Sequence, residues 1–156
     1  MEKLPPFKIH SNKGAAQFYL QPAYFAGETY QTASKETVKV LEPGFVMVEA
    51  ASFLKREGRT ASYDWRNKVV MKLSPKDLVQ IIQGLEQRQK VTLEHFRENG
   101  SGKLKSFLNI FPGEKYGFCL QLCFGEKKPY VQITTDADAE VLKALLQRAV
   151  VRSVGW

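Results

Sequence analysis

The residue pattern predicts an α+β chain in which four strands followed by one helix occur twice (ββββα, ββββα). Three observations carry that expectation. Over several short stretches apolar residues recur at every second position, the spacing of half-buried strands. Twice the spacing lengthens to that of a helix, after Ser74-Pro75-Lys76-Asp77 and after Thr135-Asp136. Turns bearing glycine or proline separate the strands. The 156 residues suit a single domain spanning positions 1–156, large enough to bury roughly two-thirds of its unfolded surface.

In order, Phe7–Asn12 and Ala15–Gln21 read as two strands joined at Lys13-Gly14. Ala26–Glu36, small and polar, reads as a loop. Val38–Leu41 and Phe45–Ala51 read as one strand broken at Glu42-Pro43-Gly44. Lys55–Arg59 is expected to be a charged loop leading to a strand that starts at Trp65. There Trp65, Asn67, Val69, Met71 and Leu73 share one face, and Arg66, Lys68, Val70 and Lys72 the other. Burying three unpaired cations is costly, so the second face is expected to meet water or an anion. Ser74 is the N-cap of the first helix, Pro75 its first residue, Leu78, Ile81 and Ile82 its apolar stripe, and Gly84 its stop.

In the second half Val91–Phe96, Leu104–Phe111, Tyr116–Phe124 and Tyr130–Thr134 read as strands, with Asn99-Gly100-Ser101-Gly102 as a hairpin loop. The last helix carries a broad apolar face of Leu142, Leu146, Ala149, Val150 and Val154, wider than one sheet requires, which points to packing against another copy, the alternative being a cleft between two sheets of its own subunit.

Composition narrows the function. The formal net charge is +7, with 44% hydrophobic and 25% charged residues, which suits a folded protein with anionic partners. No run approaches the ~18 apolar residues of a membrane span, so no membrane partner is expected. Cys119 and Cys123 lie on one strand face about 13 Å apart, too far for a disulfide, which suits an intracellular or organellar interior. The two histidines, His10 and His95, sit in no metal-ligand spacing, and no nucleophile motif or phosphate loop is present. No enzyme activity, metal or cofactor is expected.

The motif Tyr63-Asp64-Trp65-Arg66-Asn67-Lys68, followed by an apolar-basic strand and the Leu73-Ser74 helix entry, is similar to the Tyr-Asp-Trp-x-x-Lys strand of the Whirly-like family. Lys13-Gly14-Ala15-Ala16 is similar to the Lys-Gly-Lys-Ala-Ala-Leu segment of its plant members, with the lysine displaced by one. Gly155-Trp156 after an apolar helix is a third likeness. The family comprises plant single-stranded-DNA-binding proteins and kinetoplastid mitochondrial RNA-binding proteins, and the departures favour the kinetoplastid branch. The resemblance implies two roughly perpendicular four-stranded antiparallel sheets with helices between them, assembled as a pinwheel tetramer. For the kinetoplastid branch it further implies a mitochondrial heterotetramer of two related subunits that holds guide RNA by its sugar-phosphate backbone. The bases are then free to anneal with messenger RNA during uridine insertion and deletion editing.

For such binding the candidate residues are cations and aromatics on outward strand positions. Arg66, Lys68 and Lys72 meet this in the first half, with Tyr19 beside Gln17 and Gln21 as a stacking ring. Lys103, Lys105, Phe107 and Asn109 alternate on one face in the second half. The charged segment Lys55, Arg56, Arg59 and the early Lys8, His10 and Lys13 extend the basic set. The expected function is non-catalytic, sequence-tolerant binding of single-stranded RNA that promotes annealing, with strong salt dependence. The alternatives are a single-stranded-DNA-binding protein of organelle genome maintenance, and a structural subunit of a protein complex.

Overall fold

The computed structural model describes residues 4–99 and 102–155. Gly100, Ser101, Trp156 and the side chain of Lys103 therefore lie outside the described residues. The main sheet of the first half has the order β1 (Phe7–His10), β2 (Gly14–Gln21), β5 (Phe45–Glu57), β7 (Val69–Leu73). All of its pairings are antiparallel. Between β2 and β5 comes a separate hairpin of β3 (Tyr24–Gln31) and β4 (Thr37–Glu42). The far end of β5 pairs only with β6 (Thr60–Tyr63). The second sheet is an antiparallel meander of β8 (Val91–Asn99), β9 (Gly102–Pro112), β10 (Phe118–Phe124) and β11 (Tyr130–Ile133). Helix α1 (Pro75–Gln87) follows β7 and helix α2 (Asp136–Ser153) follows β11. This is the expected order, four sheet strands and a helix twice, with β3 and β6 added to the first half; the stretch expected as one broken strand, Val38–Leu41 and Phe45–Ala51, is instead divided between β4 in the separate hairpin and β5 in the sheet.

Each sheet turns its apolar positions to one shared core. Ile9, Ala16, Phe18, Val46, Val48, Val69, Met71 and Leu73 come from the first sheet. Leu93, Leu108, Ile110, Leu120, Leu122, Val131 and Ile133 come from the second, and α1 and α2 add Leu78, Ile81, Leu142 and Leu146. The helices lie against each other; α1 touches β7, β8 and β9, while α2 crosses β2, β5 and β11. At about 0.8 kcal/mol for each buried CH2, this core is the main stabilising element. The sheets adjoin where β1 and β2 reach β11. Gly14 makes that approach possible, because a Cβ there would press on the carbonyl oxygens of Tyr130 and Ala51.

Helix α1 begins as its sequence requires. The Ser74 hydroxyl accepts from Asp77 N, and the Asp77 carboxylate accepts from Ser74 N at 2.8 Å, a reciprocal cap. Asp77 also meets His95 Nε2 at 3.1 Å, which satisfies the histidine on the inner side of β8. The helix does not stop at Gly84. It runs to Gln87 and is closed by Arg88 in the left-handed region (φ 49°), whose N–H donates to Gly84 O. Gly84 instead leaves room for Val91, whose side chain a Cβ would strike.

Three other expectations are corrected. Ala26–Glu36 is largely strand, because β3 pairs with β4 alone and has no core face to impose alternation. Tyr24, Phe25 and Tyr30 stand exposed on it, and a register irregularity falls between Phe25 and Thr29. Lys55–Arg59 is not a loop but the tip of the β5–β6 hairpin, turning at Gly58 (φ 60°) beyond the reach of the core. Trp65–Asn67 is a single 3-10 turn rather than the start of β7. The Asp64 carboxylate accepts from Asn67 N at 3.3 Å and from Asn67 Nδ2 at 2.9 Å, which winds the chain before extension begins at Val69.

Candidate nucleic-acid interface

The outer face of the first sheet is set by strand alternation. Lys8 and His10 of β1, Gln17, Tyr19 and Gln21 of β2, Phe45, Met47 and Glu49 of β5, and Val70 and Lys72 of β7 occupy positions opposite the core residues. The expected placement of Tyr19 with Gln17 and Gln21 is therefore observed. At its centre lies Glu49, a carboxylate with only 8% of its surface exposed. It accepts from Lys68 Nζ at 2.8 Å, Gln17 Nε2 at 2.7 Å and the Tyr19 hydroxyl at 2.9 Å. Gln17 Nε2 also contacts the Tyr19 oxygen. Burial works against the Glu49 charge, but the three donors, led by Lys68, outweigh it and hold the group below the usual carboxylate range. Burial, then the bond to Glu49, pushes the Tyr19 phenol up to about 12.

This network revises the expected roles of the first-half cations. Lys68 reaches the outer face but is already paired with Glu49. Arg66 is exposed on the 3-10 turn, not on the strand. Lys72 stands outward on β7, its ammonium 4.2 Å from the centre of the Phe45 ring. Lys8 is exposed opposite Gln17. Lys13 is exposed in the β1–β2 turn, and Lys55, Arg56 and Arg59 are exposed on the distal hairpin, where Lys55 pairs with Glu57. These last four are not brought onto either sheet face.

The second outer face is richer in rings and amides. Register places Thr92, Asn109, Gln121 and Tyr130 in one row across β8, β9, β10 and β11. Glu94, Phe107 and Cys123 form the next row, and Phe96 and Lys105 the one after. Lys105, Phe107 and Asn109 thus share the outward face as expected. Lys105 pairs with Glu94 at 3.0 Å and lies 5.1 Å from the centre of the Phe96 ring, which is 59% exposed. Thr92 donates its hydroxyl hydrogen to Asn109 Oδ1 at 2.9 Å. The Tyr130 hydroxyl donates to Cys119 Sγ at 2.7 Å, and burial, then this bond, pushes its pKa up to about 12. Both cysteines are free thiols, and burial raises the pKa of Cys123 against the opposing charge of Lys128.

Phe96, Gln121 and Tyr130 belong to this face although sequence reasoning singled out none of them. The alternation of β10, with Leu120 and Leu122 inward, carries the signal for Gln121. Phe96 gave none, since an exposed phenylalanine looks like a core residue until its neighbours are known. Among the described residues no group of three or more His, Cys, Asp or Glu side chains is placed to hold a metal ion. Among the described residues no helix is long and apolar enough to cross a membrane.

A family model described as Whirly transcription factor matches residues 9–145. The chain belongs to the Whirly family. No curated protein matches it. Among solved structures it is similar to WHY3 from Arabidopsis thaliana, at 21% identity and a TM-score of 0.74, covering 98% of this chain and 90% of that one. It is likewise similar to WHY1 from Arabidopsis thaliana and to the plant transcriptional regulator PBF-2. Each of these two gives 21% identity and a TM-score of 0.75 over 100% of this chain and 93% of the other. At such identity the likeness is one of fold: the antiparallel sheets and two helices of this Whirly chain are shared.

Proposed function

We propose that this Whirly protein is a non-catalytic binder of single-stranded nucleic acid, with DNA as its main partner, and that it holds the strand on the outer sheet faces. The observation that carries the reading is the outer face of β8–β11. Phenylalanine rings, amides and the lysines Lys105 and Lys128 gather there with no core role to explain them. Rings offer sequence-tolerant stacking worth about 1–3 kcal/mol per base, and cations offer salt-dependent attraction to phosphate. DNA is favoured over guide RNA because the family description names a transcription factor and the similar PBF-2 is a transcriptional regulator. The guide-RNA and editing reading rests on the kinetoplastid resemblance alone, as does a mitochondrial location.

Assembly into a tetramer is part of the same proposal. Leu142, Leu146 and Ala149, expected to meet another copy, are buried in the chain's own core between the sheets, whereas Val141 and Leu145, one turn apart on α2, are 50% and 45% exposed on the other flank. A second copy packed on that flank would cover them. Fluorescence anisotropy with matched single-stranded DNA and RNA oligomers across a salt series tests the binding. Tight DNA binding that weakens steeply with salt is expected. Preference for RNA would return the protein to the annealing reading, and silence toward both would leave a protein-scaffold role.

A further inference from the structure

The outer face of the second sheet contains a shallow cleft of about 460 Å3, within the range of small-ligand sites. Phe107 lies between two lysines, Lys105 and Lys128, and two amides, Asn109 and Gln121, with the Cys123 thiol beside it. The amides face each other in register across β9 and β10.

Their hydrogen-bonding state gives the cleft a chemical preference. The Asn109 oxygen accepts from Thr92 on β8, so the amide is oriented and its NH2 group is directed away from Thr92. Among the described residues neither that NH2 group nor the Gln121 amide has a hydrogen-bond partner. Asn109 therefore presents a donor, and Gln121, free to turn, presents an acceptor and a donor. A donor–acceptor–donor set complements the O4, N3–H and O2 edge shared by thymine and uracil. Adenine offers only N1 and its amino group on that edge and so makes at most two of the three bonds, whereas cytosine, turned over onto a rotated Gln121 amide, makes all three.

We propose that this cleft seats one base of the bound strand on the Phe107 ring and selects thymine or uracil over adenine, with Asn109 held by Thr92 as the discriminating donor. The inference rests on the single-strand-binding reading above. Backbone attraction supplies most of the affinity and the cleft adds a preference to it.

Anisotropy titrations with oligo-dT, oligo-dU, oligo-dC and oligo-dA of equal length test it. Wild type should bind dT and dU alike and dA about ten-fold more weakly, the size of one lost hydrogen bond. Asn109→Leu should narrow the dT/dA ratio several-fold while leaving the salt dependence unchanged. Thr92→Val, which frees the Asn109 amide to turn over, should narrow it in part and serves if the leucine variant fails to fold. A dT/dA ratio that is the same in wild type and both variants would overturn the proposal, since weak dA binding would then come from stacking within the adenine strand. Binding of no oligomer would instead defeat the single-strand reading, and this inference with it.

Discussion

Replacing Glu49 by glutamine separates what this carboxylate does for the fold from what it does to the binding face. The wild-type carboxylate is almost fully covered and takes three donors, from Lys68, Gln17 and Tyr19. An amide keeps the shape but loses the charge-assisted bond to Lys68, so a stability loss of about 1–3 kcal/mol follows. The pH dependence should change as well. The folded-state pKa of Glu49 lies below its unfolded value, so its contribution is present above that unfolded value, about 4.3. It is lost as pH falls through the folded value. Wild type should lose this increment on acidification, whereas E49Q should not, and its melting temperature should fall less steeply below about pH 4.5. Binding should move the opposite way. Lys68 released from its partner adds one cation to the face, which steepens the slope of log K against log salt by about 0.7 for a single strand. A four-fold rise in salt would then cost E49Q about 2.6-fold more affinity than wild type. Thermal melts from pH 3 to 7 and anisotropy titrations at four salt concentrations measure both. Wild-type stability together with a wild-type salt slope would refute the reasoning, because Lys68 would then be neither held by Glu49 nor near the strand.

Lys72→Ala should flatten the same salt slope by about 0.7 with little change in melting temperature, since Lys72 is exposed on β7. Phe107→Ala should weaken oligomer binding by about ten-fold at unchanged salt slope, read by anisotropy, because one stacking ring is removed from outside the core. Gly14→Ala should destabilise by about 1–3 kcal/mol in chemical denaturation, as the new methyl would stand 2.7 Å from the Ala51 carbonyl oxygen and press on that of Tyr130. Val141→Asp with Leu145→Asp should leave the chain folded but lower its mass in light scattering, since both side chains are half-exposed in the single chain.

The basic outer surface and the core strands were legible for the same reason. Where a strand has one face in the core, alternation assigns both faces at once, and Tyr19, Lys72, Lys105, Phe107 and Asn109 were all placed correctly that way. The method fails where no core face exists. β3 and the β5–β6 tip pair only with a neighbouring strand, so their sequences carry no period, and both read as loops. It also fails where a local bond overrides the pattern: Asp64 and Asn67 wind Trp65–Asn67 into a turn although the residues alternate.

The strands with a core face, the helix N-caps and the sign of the surface charge were settled by the amino-acid sequence, because each depends on neighbours within a few positions. Pairing across the chain needed the tertiary structure. Glu49 and Lys68 are 19 residues apart, Thr92 and Asn109 are 17 apart, and Tyr19 and Glu49 are 30 apart. Only the register of the folded sheets decides that one lysine is neutralised while one asparagine is oriented. Charge can be counted from composition, but the charge and donors left free for a ligand depend on which partners folding has brought within hydrogen-bond reach.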